Sequence, residues 1–150
     1  NSYKRLITGY EAPVYISWSA QNRSALVRVP ASREQATRVE LRSPDPSCNP
    51  YLAFAVMIKS GIDGIKNKIT PSPSLTQNIY TMNEEERTKA GVTSLPDSLA
   101  AAIEALEKDP LMLDALGEHV YTQFIKAKKQ DWKEYSTQVH EWEVKKYLGV

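Results

Sequence analysis

The spacing of hydrophobic residues changes once along the chain, close to residue 50. Before that point, three short runs at 13–19, 24–29 and 37–41 are rich in β-branched or aromatic residues and are bounded by Gly, Pro, Asn or Ser. After it, apolar residues recur at every third or fourth position, which is the period of one helix face. The pattern predicts an α+β fold, in which short strands are followed by a C-terminal helical region.

The three predicted strands are joined by short connections, whereas a parallel crossover needs a dozen or more residues. We therefore expect them to pair as antiparallel neighbours. Charged and apolar residues alternate in the third strand, and successive side chains of a strand point to opposite faces. Arg38, Glu40 and Arg42 are thus expected on one face. Val39 and Leu41 are expected to point to the core.

The helical region begins with a clear start signal. Asn49 is a favourable N-cap and Pro50 suits the first helical position, so a helix is expected from Pro50 to about Lys68. Its predicted apolar face consists of Tyr51, Phe54, Ile58, Ile62 and Ile65. A sequence resembling a capping box begins at Ser94 and predicts a further helix that ends near Lys108.

These patterns divide the chain into four segments: 1–43 with the strands, 44–69 with the first helix, 70–94 as a long connection, and 95–150 with further helices. The connection is rich in Pro, Ser and Thr, and loops of this length are usually functional or held by a partner. The chain starts without methionine on a charged, turn-rich stretch. We expect it to be a piece of a longer protein.

Arginine and lysine are sorted along the chain. Eleven of the twelve lysines follow residue 58, whereas six of the seven arginines lie in the first 42 residues: Arg5, Arg23, Arg28, Arg33, Arg38 and Arg42. A guanidinium group is permanently charged and forked, which suits the binding of carboxylates and phosphates. The first third of the chain therefore indicates an anion-binding site.

Composition narrows the classes of function. The formal net charge is only +1, and carboxylates are interleaved with the arginines, so binding to nucleic acid is disfavoured. The sequence contains no apolar run of about 18 residues that could span a bilayer, and its start lacks the apolar core of a secretion signal. We expect a cytoplasmic protein with no membrane partner.

The strand face that carries Arg38 and Glu40 permits two interpretations. An exposed edge strand with cross-strand ion pairs would explain it. Alternatively, five arginines and two carboxylates converge on one side of the sheet: Arg5, Glu11, Arg23, Arg28, Arg38, Glu40 and Arg42. Such a set suits phosphoryl transfer, because arginine and a divalent metal neutralise negative charge that is spread over the transferred group.

Most of these charged residues belong to six spaced motifs: Asn-Ser-Tyr-Lys-Arg-Leu at 1–6, Gly-Tyr-Glu-Ala-Pro at 9–13, Asn-Arg-Ser-Ala at 22–25, Arg-Val-Pro at 28–30, Glu-Leu-Arg-Ser-Pro-Asp-Pro at 40–46 and Asn-Pro-Tyr-Leu-Ala-Phe at 49–54. Together they resemble the C-terminal part of prokaryotic-type (type I) glutamine synthetases, over essentially all 150 residues. The resemblance implies that the strands come from the catalytic sheet of that family. It also implies that the chain is a single C-terminal fragment of the catalytic domain.

The resemblance implies a role for each site residue. Glu11 matches a flap glutamate that closes over the glutamate substrate and takes a proton from ammonium. Arg23 matches a catalytic arginine that contacts the transferred phosphate of ATP and the glutamate. Glu40 matches a ligand of the Mg²⁺ or Mn²⁺ ion that bridges ATP. Arg5 and Arg42 match arginines that bind the glutamate substrate. Arg28 and Arg38 match arginines that contact the ATP phosphates.

The implied activity is the ATP-dependent ligation of ammonium to L-glutamate, which gives L-glutamine through a γ-glutamyl phosphate. The implied assembly is a double-ring dodecamer, with a PII-like or other regulatory protein as a partner. Tyr80 matches a tyrosine that some members carry adenylylated. Two alternatives stay open: a ligase of the same family that couples glutamate to amines or polyamines, and a non-catalytic assembly or regulatory fragment. The chain on its own is predicted to be inactive.

Overall fold

The computed structural model describes residues 2–10, 12–20 and 22–149. The chain divides into two compact units, Asn1–Asp97 and Ser98–Val150. The described strands all lie in the first unit, and the described part of the second unit is helical. The predicted α+β class is confirmed, while the assignment of all 150 residues to one catalytic-domain fragment stays a prediction.

The strands of the first unit are short and form two small sheets. They are β1 (Tyr15–Ile16), β2 (Trp18–Ser19), β3 (Val27–Arg28), β4 (Glu40–Leu41) and β5 (Thr93–Ser94). Strand β1 pairs with β5 in one sheet, and the order in the other is β2-β3-β4. The pairs β1-β5 and β3-β4 are antiparallel. Each of the three predicted runs thus contains at least one strand.

The pairing of β2 with β3 is parallel, with Trp18 opposite Val27. The expectation of antiparallel neighbours was wrong for this pair. The connection between two parallel strands must bring the chain back to the end at which the first strand began. For a two-residue strand this distance is only about 7 Å. The short turn after β2 does this because the Asn22 side chain accepts hydrogen bonds from the Ser24 amide at 2.8 Å and from the Ser24 hydroxyl at 2.7 Å.

The apolar residues around β4 do not point to a core. Val39 is 66% exposed and Leu41 is 38% exposed, so the prediction that both are buried was wrong. Strand β4 lies at the edge of its three-stranded sheet. The alternation of side chains predicts that the two residues share a face, but it does not predict that another layer covers that face.

The predicted first helix is confirmed as α1 (Pro50–Lys66). The Asn49 side chain accepts hydrogen bonds from the amides of Tyr51 and Leu52, at 3.0 and 3.4 Å. The segment 70–94 contains a 3-10 helix (Ile79–Thr81), the helix α2 (Glu84–Lys89) and strand β5. Asn83 and Glu86 cap the N-terminus of α2 with reciprocal hydrogen bonds to backbone amides, the arrangement called a capping box.

The core of the first unit joins β1 to the segment 70–94. Its buried residues are Val14, Tyr15, Ile79 and Met82, and the partly buried residues Leu6, Leu75, Tyr80, Ala90 and Val92 pack against them. The Arg87 guanidinium lies 5.1 Å from the centre of the Tyr15 ring, a distance that favours a cation–π interaction. The long connection is therefore packed into the first unit.

The second unit contains α3 (Leu99–Lys108), α4 (Pro110–Leu116), α5 (Glu118–Ser136) and α6 (Glu141–Tyr147). Helix α3 ends where the sequence predicts, but its N-cap is Ser98, because Ser94 lies in β5. Gly117 has a positive φ of 74° and separates α4 from α5. Helix α5 packs against α3 and α4. Among the described residues, no helix combines the length and hydrophobicity of a membrane span.

The predicted apolar face of α1 is exposed along its whole length. The exposed fraction ranges from 42% at Ile62 to 83% at Tyr51, and α1 has no buried residue. We expect the 150-residue chain to bind the hydrophobic dye ANS, because contiguous exposed apolar surface binds such ligands. The double variant Ile58→Gln/Ile65→Gln should bind several-fold less dye at unchanged helix content by circular dichroism. Equal dye binding by the variant would contradict this prediction.

Candidate functional site

The pairing of β3 with β4 places Arg28 directly opposite Glu40. The Arg28 Nη1 atom lies 3.2 Å from Glu40 Oε2. Arg38 precedes Glu40 by two residues, and its Nη2 and Nε atoms lie 2.7 and 2.9 Å from Glu40 Oε1. One carboxylate therefore holds two guanidinium groups. We call Arg28, Arg38 and Glu40 the charged cluster.

The two arginines keep Glu40 ionised. The hydrogen bond from Arg38 is the largest cause that lowers the pKa of the Glu40 carboxyl below its ordinary value of 4.5, and the charge and hydrogen bond of Arg28 lower it further. Desolvation of the carboxyl acts in the opposite direction but is outweighed. The Glu40 side chain is 28% exposed and that of Arg28 is 32% exposed. The cluster is therefore open to a ligand.

Acid should weaken the charged cluster. Because the folded state lowers the pKa of Glu40, its ion pairs add stability that is complete above pH 4.5 and is lost as the pH falls through the lower pKa of the folded state. We expect wild type to be more stable than Glu40→Gln at neutral pH and the difference to shrink below about pH 4. Urea denaturation at a series of pH values measures this difference. A difference in stability between the two proteins that does not change with pH would contradict the prediction.

Arg42 contacts the turn that carries Arg23. Its Nη1 atom donates to the backbone carbonyl of Arg23 and, at 3.3 Å, to that of Ala25. The Arg42 backbone amide also donates to the Leu26 carbonyl at 3.0 Å. The side chain of Arg23 is exposed. Arg42 thus fixes the backbone from which the Arg23 guanidinium projects.

Arg5 contacts the chain just beyond β4. Its Nη2 atom donates to the Ser43 carbonyl at 2.9 Å, and its Nε atom lies 3.7 Å from Asp45 Oδ2. Sequence analysis missed Asp45 as a partner of Arg5. The available signal was that Asp45 belongs to the motif at 40–46 that also contains Glu40 and Arg42.

The segment 38–45 therefore organises the arginines predicted for the site. It contains Arg38 and Arg42, and it contacts Arg5, Arg28 and the backbone of Arg23. The interpretation of an edge strand with ion pairs and the interpretation of an anion site are both consistent with this geometry. Glu11 lies outside the described residues, so its predicted place in the site is not tested.

Tyr80 contacts the chain at and just before β1. Its hydroxyl donates to the Ala12 carbonyl at 3.3 Å, and its ring centre lies 6.0 Å from that of Tyr15. The side chain is only partly exposed. A modification of this hydroxyl would have to break its bond to Ala12.

Comparison with known proteins decides the family. The family model described as "Glutamine synthetase, catalytic domain" matches residues 1–147. This chain belongs to the glutamine synthetase family. It is 57% identical to the glutamine synthetase of Thermotoga maritima over 148 residues, which are 99% of this chain and 34% of that protein. It is also 57% identical to the enzyme of Thermus thermophilus over 150 residues, again 34% of that protein.

A solved structure from the glutamine synthetase family has a similar fold. The cryo-electron-microscopy structure of Plasmodium falciparum glutamine synthetase matches with a TM-score of 0.78 and 27% identity, over 98% of this chain and 36% of that chain. The resemblance inferred from the six motifs is thus confirmed. This member of the family spans about a third of the length of these relatives.

Proposed function

We propose that this chain supplies the arginines and one metal ligand of an enzyme that ligates ammonium to L-glutamate at the expense of ATP. The product is L-glutamine and the intermediate is γ-glutamyl phosphate. The observation that carries the proposal is the charged cluster, in which Glu40 stays ionised between Arg28 and Arg38, in a chain of the glutamine synthetase family.

The proposed reaction has two steps. A side-chain carboxylate oxygen of glutamate attacks the γ-phosphorus of ATP, and the bond to the β,γ-bridging oxygen breaks with release of ADP. Ammonia then attacks the acyl carbon of γ-glutamyl phosphate, and inorganic phosphate leaves. Ammonium must lose a proton before it attacks, and we assign that proton to Glu11 as general base.

The arginines bind and orient the two substrates. Arg28 and Arg38 hold the phosphates of ATP, and Arg23 contacts the transferred phosphoryl group together with the glutamate. Arg5 and Arg42 bind the carboxylates of glutamate. Forked guanidinium groups suit these ligands because each can donate two parallel hydrogen bonds. Phosphoryl transfer depends mainly on such positioning and on neutralisation of charge.

Glu40 fits a role as a ligand of Mg²⁺ or Mn²⁺, because these ions prefer oxygen ligands and its carboxylate is ionised. The described residues contain no group of three or more His, Cys, Asp or Glu side chains that could hold a metal ion. The other ligands would therefore be nucleotide oxygens, water and residues outside the described part of the chain. A bound metal would neutralise negative charge on the transferred phosphate.

The assembly of the whole protein follows the same proposal. We propose a homo-oligomer, a double-ring dodecamer when the chain is full length, in the cytoplasm. A PII-like or other regulatory protein, or adenylylation of Tyr80, would control it. Because the chain covers 34% of its curated relatives, we propose that it is inactive alone and acts as one fragment of a catalytic domain.

A chimeric enzyme tests this function. The chain replaces the aligned 148 residues of Thermotoga maritima glutamine synthetase, and glutamine is measured by chromatography with and without ATP, Mg²⁺ and ammonium. We expect glutamine to form only when all three are present. A matched protein that lacks the segment is the negative control. An assembled chimera without activity, or activity in the isolated 150-residue chain, would contradict the proposal.

The same chimera distinguishes ammonium from larger amines. Methylamine, putrescine and ammonium are offered at equal concentrations with glutamate and ATP, and phosphate release is measured. We expect ammonium to be preferred. A preference for putrescine would assign the chain to the amine-coupling ligases of the family.

A further inference from the structure

Asn22 forms hydrogen bonds with three separate parts of the first unit. Its backbone amide donates to the Ser19 hydroxyl at 3.1 Å, at the end of β2. Its Oδ1 atom accepts from the amide and the hydroxyl of Ser24, at 2.8 and 2.7 Å. Its Nδ2 atom donates to the backbone carbonyl of Gln77, which is 55 positions further along the chain. Asn22 therefore joins β2, the turn that contains Arg23 and the segment 70–94.

The contacts of Asn22 explain why this position needs an asparagine. An Asn side chain combines an oxygen that accepts two hydrogen bonds with an NH₂ group that donates. Here the oxygen accepts twice from Ser24, and the NH₂ group donates to Gln77. Aspartate would place a carboxylate oxygen against the Gln77 carbonyl, and an aliphatic side chain would form none of these bonds.

The partners of Asn22 lie in the interior of the first unit. Ser24 is 7% exposed and Ser19 is fully buried. The Ser24 hydroxyl also accepts a hydrogen bond at 3.3 Å from the amide of Ile79, another fully buried residue. Buried polar groups that lose a partner are costly, because water does not easily replace it. Asn22 and Ser24 thus hold the turn and the segment 77–79 together.

The peptide group between Arg23 and Ser24 is bonded at both of its polar ends. Its N–H donates to Asn22 Oδ1 at 2.8 Å, and its carbonyl accepts a hydrogen bond from Arg42 Nη1. Because a peptide group is planar, two bonds on opposite sides fix its orientation. The Arg23 side chain itself is exposed. The direction in which its guanidinium leaves the turn therefore depends on the backbone that Asn22 and Arg42 hold.

We propose that Asn22 is a positioning residue for Arg23. It fixes the turn against the segment 77–79, so that the Arg23 guanidinium meets the reacting groups in one orientation. The inference rests on the proposed function for the role of Arg23, and it deepens that function by adding a residue outside the proposed substrate contacts. A displacement of about 1 Å caused by a distant substitution can lower a rate about 10²-fold.

Kinetics of the chimeric enzyme test this inference. Asn22→Ala should lower kcat about 10²-fold and change KM for ATP less than about threefold, because Arg28 and Arg38 still hold the phosphates. Asn22→Ser keeps an oxygen that can accept from the Ser24 amide but does not reach Gln77. It should show an intermediate loss, and it is the second variant if Asn22→Ala does not assemble.

A double-mutant cycle distinguishes positioning of Arg23 from general stability. In an Arg23→Gln background, Asn22→Ala should cost less than about threefold in further activity, because its effect acts through the missing guanidinium. Glutamine accumulated over a long incubation measures these low rates. The matched control is Asn67→Ala, which removes a side-chain hydrogen bond to Asp63 at 2.8 Å at the end of α1 and should leave kcat near wild type.

Amide hydrogen exchange in the 150-residue chain tests the same contact without turnover. Asn22→Ala should speed exchange of the Ser24 amide at least about tenfold, because this amide loses its acceptor, whereas Asn67→Ala should not change it. Unchanged exchange at Ser24, wild-type kcat in Asn22→Ala, or an equal loss in both backgrounds of the cycle would overturn the inference. An inactive wild-type chimera would refute the proposed function, and faster exchange at Ser24 would still show that Asn22 fixes the turn.

Discussion

Glu40→Gln should lower glutamine formation by the chimeric enzyme by about 10²–10³-fold. The substitution removes the carboxylate that forms ion pairs with Arg28 at 3.2 Å and with Arg38 at 2.7 Å. Two guanidinium groups then lie close together without a counter-charge. It also removes the one carboxylate that the charged cluster offers to a metal ion. Under the proposed function, loss of the metal ligand would leave negative charge on the ATP phosphates that phosphoryl transfer requires to be neutralised.

Glu40→Asp separates the metal role from a structural one. The shorter side chain keeps its charge but withdraws from the position of a ligand, so the Mg²⁺ concentration for half-maximal activity should rise about tenfold. Glu34→Gln is the matched control, because Glu34 is exposed in the same segment and lies outside the cluster. A loss of stability in Glu40→Asp at unchanged Mg²⁺ dependence would assign Glu40 a structural role only.

Arg28→Gln should reduce kcat/KM for ATP in the chimera by about 10²-fold. The Arg28 side chain is partly exposed beside Glu40, so its guanidinium can contact a phosphate while it keeps the ion pair. Its loss removes a positive charge at the proposed phosphate site and frees Glu40 Oε2 to repel the nucleotide. A coupled assay of phosphate release at varied ATP concentration measures the effect.

Two companion variants interpret the result for Arg28. Arg28→Lys keeps the charge without the fork and should show an intermediate loss. Arg33→Gln removes a guanidinium of the same chain region that bonds only to the Pro30 and Ser32 carbonyls among described residues, and it should leave activity near wild type. An equal loss in Arg28→Gln and Arg33→Gln would show that kcat/KM for ATP depends on the total positive charge of this region and not on the position of Arg28.

Local signals were sufficient where an element depends on its neighbours in sequence. Asn49 and Pro50 predicted the start of α1 because a cap bonds to amides within the next three residues. The break between α4 and α5 at Gly117 is also local, because its positive φ favours glycine. The capping box expected at Ser94 was wrong because β5 pairs with β1, a contact between residues about eighty positions apart.

The candidate site divides in the same way. Alternation along the third strand predicted that Arg38 and Glu40 share a face, and their ion pair agrees with this. It also grouped Arg42 with them, yet the Arg42 side chain contacts the carbonyls of Arg23 and Ala25. Nothing in the local pattern predicted that the Ser72 and Gln77 carbonyls accept hydrogen bonds from the Trp18 and Asn22 side chains, because these bonds cross more than fifty residues.

The sequence by itself determined the α+β class, the start of α1 and, through six spaced motifs, the family. These features depend on spacing and capping within a few residues, and on the combination of residue types. Only the tertiary structure decided that β2 and β3 run parallel, that the apolar face of α1 is exposed and that Arg5 meets Asp45. Such contacts join distant residues, and their geometry depends on how the intervening chain folds.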